Sequence, residues 1–233
     1  MLKKPRQLIG IIVFSLLLLS VVFAVVRLIG APSESPVGDD FIKTKSDYAL
    51  MVAQCGLAIF VMFLPSVLEK RFDFTVPDLM SSLYYLFLFA AVYLGEVRNF
   101  YYIFPHWDTV LHSLSGGMLG ALGFVIVRVL NESDLKGIRL SPFFVSLFAF
   151  CFALSAGAVW EIYEFIVDST LGLNMQKWRL EDGTLLVGMA ALRDTMVDLI
   201  ADALSALAVV TVGYFTYRRT YGQASDSAND RSK

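Results

Sequence analysis

The stretch 193–217, RDTMVDLIADALSALAVVTVGYFTY, decides how this chain is read. Its second part, Ala203 to Tyr217, carries no charge and reads as a membrane span. Its first part sets Asp194, Asp198 and Asp202 at i, i+4 and i+8, so a helix brings all three carboxylates onto one face. A carboxylate at membrane depth costs roughly 2.5–3.5 kcal/mol on insertion scales, so such residues face a bundle interior and mark function. The rest of the chain has to supply what holds them together.

The composition agrees with a membrane setting. Of 233 residues, 57% are hydrophobic and 17% charged, against about 45–50% and about 25% in soluble domains. The net charge of −2 gives no basic excess, and no nucleic-acid partner is expected. Cys55 and Cys151 both sit inside apolar runs and read as small buried hydrophobes rather than a disulfide or a metal pair.

Hydropathy predicts an all-α polytopic membrane helix bundle of six spans, near 8–28, 48–68, 79–95, 108–127, 140–164 and 194–217. These form one membrane domain over 1–220, followed by a polar tail, 221–233, without regular structure. Lys3, Lys4 and Arg6 precede nineteen uncharged residues, Leu8–Val26, longer than the about 7–15 residues of a signal-peptide core, so the first span is predicted to stay uncleaved. Lys70–Arg71, Arg128 with Lys136 and Arg139, and Arg218–Arg219 all fall on the side of the N-terminus. The positive-inside bias therefore makes both termini cytoplasmic, in a prokaryotic cytoplasmic membrane.

Three helices then bring ligand-type side chains to one layer near the outer surface. His112 lies sixteen residues from Arg128, and Asp202 sixteen from Arg218; each is about 24 Å along its helix. Asp108, Glu161 and Asp198 come out slightly higher, with Glu164, Asp168 and Asp194 beyond. Asp108 and His112 share a face that continues through Gly116, Gly120 and Gly123; Gly157 and Glu161 share another. Small residues below each stripe predict close helix packing. So many acids repel unless protons or cations balance them, and a divalent metal held by Asp108, His112, Glu161, Asp198 and Asp202 is the simplest balance. Oxygen ligands suit Mg, Ca or Mn, and an imidazole admits Zn or Fe.

In that reading Glu164 or Asp194 is the general base and Arg193 the clamp for an anionic group. The substrate would be a lipid head group or a lipid-linked envelope precursor. A cation- or proton-coupled transporter is the alternative, and a non-catalytic network of protonated acids is a third. His106, between Pro105 and Trp107, reads as an interfacial residue before a ligand. Trp107, Trp160 and Trp178 read as interfacial anchors. The connection 169–192 carries the hairpin signal Asp182-Gly183; it can close over the acids as a lid bearing Lys177 and Arg179, or lie as a plain amphipathic loop.

These motifs resemble two groups of small bacterial membrane proteins. Asp108-Thr-Val-Leu-His112, Glu161-Ile-Tyr-Glu164 and Arg193…Asp198-Leu-Ile-Ala-Asp202-Ala-Leu-Ser205 are similar to the Asp-x-x-x-His, Glu-x-x-Gln and Arg…Asp-x-x-x-Asn-x-x-Gly pattern of the VanZ-like group, which is linked to teicoplanin resistance. Glu164, Asp202 and Ser205 depart from it and make this site more acidic. Trp160-Glu-Ile-Tyr-Glu164 and Asp194-Thr-Met-Val-Asp198 look closer to the YjdF-like group, whose function is unknown. The resemblance covers residues 106–206 and implies a membrane helix bundle.

Overall fold

The computed structural model describes residues 5–33, 43–72, 75–132, 140–180 and 183–230. They form α1 (Pro5–Gly30), α2 (Lys45–Val61), α3 (Leu64–Phe72), α4 (Asp78–Leu88), a π-helical stretch (Phe89–Val97), α5 (Phe100–Ile103), α6 (Trp107–Glu132), α7 (Pro142–Leu171) and α8 (Met189–Asp230). Six stretches are long and apolar enough to cross a membrane: Pro5–Gly30, Lys45–Arg71, Asp78–Val97, Trp107–Arg128, Pro142–Leu171 and Met189–Arg219. No β-strand occurs among the described residues; one antiparallel bridge joins Arg179 and Leu185. This is the all-α polytopic class that hydropathy predicts. Exposed Leu19, Val26, Phe143, Val159, Val212 and Phe215 give the helices the apolar outer faces that lipid requires.

The helices overrun the hydropathy limits. α7 continues to Leu171 and α8 begins at Met189, because acids set on a buried face lower hydropathy without ending a helix. α8 also continues to Asp230, into the tail for which composition predicts no regular structure. By its contacts the chain forms two compact units, Met1–Trp107 and Asp108–Lys233.

In the first unit, Leu17 and Ala24 of α1 and Met51, Cys55 and Ala58 of α2 are buried in one core with Leu88 of α4. Thr44 and Asp47 form a reciprocal capping box at the start of α2. The second span is broken between Val61 and Leu64. Pro65 has no N–H to return to the Val61 carbonyl, and the Tyr84 hydroxyl donates to that carbonyl instead at 2.7 Å. Trp107 donates its indole N–H to the Ala90 carbonyl at 3.3 Å. His106 is exposed with φ of 65°.

In the second unit, Ser141 caps α7 by accepting from Phe144 N–H, and Gly172 closes it in the left-handed conformation at φ 68°. Glycines set the spacing of the three long helices. A methyl on Gly116 would lie 2.6 Å from the Asp202 carbonyl and from Ser205 Oγ, and one on Gly123 would lie 2.6 Å from Ala149 Cα. Gly120 rests on Ala206, and Gly157 lies directly against the Asp202 carboxylate. The small-residue stripes thus bring α6, α7 and α8 close enough for their polar side chains to meet.

Candidate metal centre

His112 stands at the middle of the site and is 5% exposed. Its Nδ1 lies 3.0 Å from Asp202 Oδ2. Ser115 Oγ shares its one proton between the His112 carbonyl at 2.9 Å and Asp202 Oδ1 at 3.3 Å, and the Gly157 backbone lies against the Asp202 carboxylate. With Asp202 as the acceptor at Nδ1, a neutral imidazole carries its proton there and leaves the Nε2 lone pair on the opposite edge of the ring. That edge faces acids. Glu161 Oε1 is 3.7 Å from Nε2, and Asp108 Oδ1 is 4.0 Å from it. Both separations exceed a hydrogen bond.

Three overlapping sets of ligand atoms lie within 4.8 Å of one another: Asp108, His112 and Glu164; His112, Glu161 and Asp198; Asp108, Asp194 and Asp198. Asp198 is 1% exposed, and Glu161 and Glu164 are 4% exposed. Asp198 Oδ1 and Glu161 Oε1 are buried without any hydrogen-bond partner. A buried carboxylate oxygen without a donor is costly; Glu161 Oε1 lies beside His112 Nε2 and Asp198 shares a ligand set with both, a grouping that fits a cation. The donor set, carboxylates with one imidazole, suits Mn, Zn or Fe.

The predicted residues divide by role. Asp108, His112, Glu161 and Asp198 come together as the spacing suggests. Asp202 does not join these ligand sets. One turn beyond Asp198 on the same face of α8, it meets His112 Nδ1, Ser115 and the Gly157 backbone. Glu164, assigned as a base outside the ligands, lies in a ligand set with Asp108 and His112, and Trp160 donates its indole N–H to Glu164 Oε1 at 2.9 Å. Trp160 is therefore more than an interfacial anchor. Asp194 reaches the cluster, whereas Arg193, one residue earlier and so about 100° around the helix, is exposed. No ion pair within the site involves it.

The cation that does reach the acids is Lys177. Its Nζ lies 2.9 Å from Asp108 Oδ2 and 3.2 Å from Asp194 Oδ1. Burial works to lower its pKa, but Asp108 and Asp194 outweigh burial and hold it above the ordinary lysine value. The loop is tied down beside it. Asp168 accepts from Met175 N–H at 2.8 Å and Gln176 N–H at 2.9 Å. Gln176 donates its amide to Glu161 Oε2 at 3.1 Å and to Thr195 Oγ1 at 2.9 Å. Arg179 points elsewhere, donating to the Gly172 carbonyl at the end of α7 and lying over the Trp178 ring. Residue 182 of the hairpin signal lies outside the described residues; beside it Leu180 N–H donates to Thr184 O and Leu186 N–H to Trp178 O. Sequence reasoning missed Ser115, Trp160, Gln176 and Thr195. Ser115 and Trp160 stand three and four residues from His112 and Glu164 and could have been found by helical spacing; Gln176 carries no such signal.

The comparisons agree with the architecture. The chain belongs to a family described as predicted membrane protein (DUF2238), whose model matches residues 12–219. It is similar to a protein of Thermotoga maritima described as uncharacterized, with 27% identity over 180 residues, 75% of this chain and 82% of the relative. No solved structure matches it.

Proposed function

We propose that α6, α7 and α8 hold a divalent cation and that the protein is a metal-dependent membrane enzyme acting on an anionic ester, in a lipid head group or a lipid-linked envelope precursor. The observation that carries this reading is the imidazole of His112, fixed by Asp202 at Nδ1 and facing Glu161 and Asp108 from Nε2. A carboxylate–imidazole–cation order is how proteins orient a metal-binding histidine. Asp108, Glu161 and Asp198 are the oxygen ligands in this reading, and Lys177 replaces Arg193 as the clamp for anionic substrate.

Glu164 is the better base, because Asp194 is engaged by the Lys177 ammonium. In hydrolysis a water oxygen bonds to the phosphorus or carbonyl carbon while Glu164 takes its proton. The bond to the alcohol oxygen breaks, and the alcohol leaves with the proton that Glu164 took, which returns Glu164 to its starting state. The packing favours an enzyme over a transporter. Beyond His112 the helices meet at Gly116, Gly120 and Gly123 against Ser205, Ala206 and Ala149, a closed seam of small side chains rather than a polar path. We place the protein in a prokaryotic cytoplasmic membrane with both termini cytoplasmic, on its Lys and Arg distribution. The family match fits the YjdF-like resemblance; the VanZ-like one rests on its motifs alone.

The test is release of the alcohol or head group from candidate phosphate and acyl esters by the purified protein in lipid nanodiscs with Mn²⁺ or Zn²⁺. Release that is abolished by chelator and by Glu164→Gln supports the reading. Ion flux in proteoliposomes that disappears in Asp198→Asn, with no ester cleaved, would overturn it.

A further inference from the structure

Asp108 directs its two carboxylate oxygens to two different nitrogens. Oδ1 faces His112 Nε2 at 4.0 Å, while Oδ2 lies 2.9 Å from Lys177 Nζ. The ammonium also lies 3.2 Å from Asp194 Oδ1. Asp108 and Asp198 each belong to an imidazole-bearing ligand set, and both belong to the all-carboxylate set with Asp194. Asp198 is almost wholly buried, yet its Oδ1 has no donor. Asp198 belongs to two ligand sets and keeps one buried oxygen without a donor, which points to cation binding beside it.

We propose that the centre has two cation positions bridged by Asp108 and Asp198, and that the Lys177 ammonium occupies the second, all-carboxylate one in the form seen here. This rests on the cation site proposed above. A carboxylate with one oxygen toward the imidazole-bearing position and the other on an ammonium is arranged as a bridging ligand would be, and Lys177 stands in for the second ion. The side chain of Lys177 is 39% exposed, so it can leave toward water without disturbing the helix seams. The loop backbone stays anchored meanwhile by Asp168 on Met175 and Gln176. An oxygen-only position suits Mg or Mn, whereas the imidazole-bearing one also suits Zn.

Two adjacent cations clamp the attacking and leaving oxygens of an in-line displacement at phosphorus. That narrows the substrate class from anionic esters in general to phosphate esters. Lys177, once displaced, remains beside the site as a counter-charge for the phosphate.

The experiment is Mn²⁺ titration of the full protein in detergent micelles, read by bound-metal stoichiometry and by electron paramagnetic resonance. Wild type is compared with Lys177→Met, Lys177→Gln and the double variant Lys177→Met/Asp194→Asn. Removing the competing ammonium should tighten the second binding step by about tenfold or more and produce an exchange-coupled two-manganese spectrum. The double variant should return to a single uncoupled ion. One uncoupled ion in both neutral variants, with unchanged affinity, overturns the second position and leaves the first standing. No bound ion in any protein overturns both. Thermal unfolding without metal identifies a variant that has failed to fold, and the two neutral replacements of Lys177 back each other up.

Discussion

Asp198 and Asp202 stand one turn apart on α8, are equally buried, and have different tasks. Asp202 meets the Nδ1 edge of His112, whereas Asp198 lies among the ligand oxygens with one of them unpartnered. Losing an orienting carboxylate behind a metal-bound histidine weakens binding by about 10–100-fold. Asp202→Asn is therefore expected to keep its fold and lose metal affinity in that range in a Zn²⁺ or Mn²⁺ titration; unchanged affinity would remove Asp202 from the site. Gly157 gives a second residue-scale prediction. A Cβ there would collide with the Asp202 carboxylate, so Gly157→Ala should cost about 1–3 kcal/mol of stability, measured by thermal unfolding, and weaken metal binding with it. The sequence showed that these acids share a face, because i, i+4 spacing is a property of the helix. It did not distinguish ligand from orienter, because that depends on which edge of the His112 ring each carboxylate meets across α6.

At the scale of elements, the loop between α7 and α8 behaves as part of the site. Its position depends on Asp168, Gln176 and Lys177; helical periodicity places Asp168 with the acids but says nothing of the two loop residues. The same limit explains why Arg193 looked like the clamp: it is adjacent in sequence to Asp194, but the loop lysine is adjacent in space. The raised pKa of Lys177 has a defined consequence. The contribution of its ion pairs is complete below the ordinary lysine value of about 10.4 and is lost only as pH rises through the higher folded value. Hydrogen exchange at Gln176 and Lys177, corrected for its intrinsic pH dependence, should thus show constant protection from neutral pH to about pH 10. Loss of protection near pH 8 would show that Lys177 is not held by Asp108 and Asp194. In the first unit, hydropathy gives the second span as one run, 48–68, and passes over the break at Pro65, because hydropathy does not register a missing N–H. That the freed Val61 carbonyl accepts from the Tyr84 hydroxyl was not legible either, because that partner lies on another helix. Tyr84→Phe should cost about 1 kcal/mol in thermal unfolding.

At the scale of the whole molecule, six apolar helices agree with membership of a family of predicted membrane proteins, and the acids and histidine are concentrated in the unit Asp108–Lys233. Hydropathy and charge spacing made the helices and the common layer of acids legible, because both follow from backbone geometry. The division of roles was not, because it is set by contacts between helices and by an irregular loop. The central claim is that buried carboxylates are brought around one imidazole to bind a divalent cation. The most direct measurement is elemental analysis of the protein purified from membranes without added chelator, together with thermal unfolding before and after chelation. We predict at least one divalent ion per chain, a lower unfolding temperature once it is removed, and neither bound ion nor chelator effect in His112→Ala. A metal-free wild-type protein whose unfolding is unchanged by chelator and by added Mn²⁺ or Zn²⁺ would contradict the account.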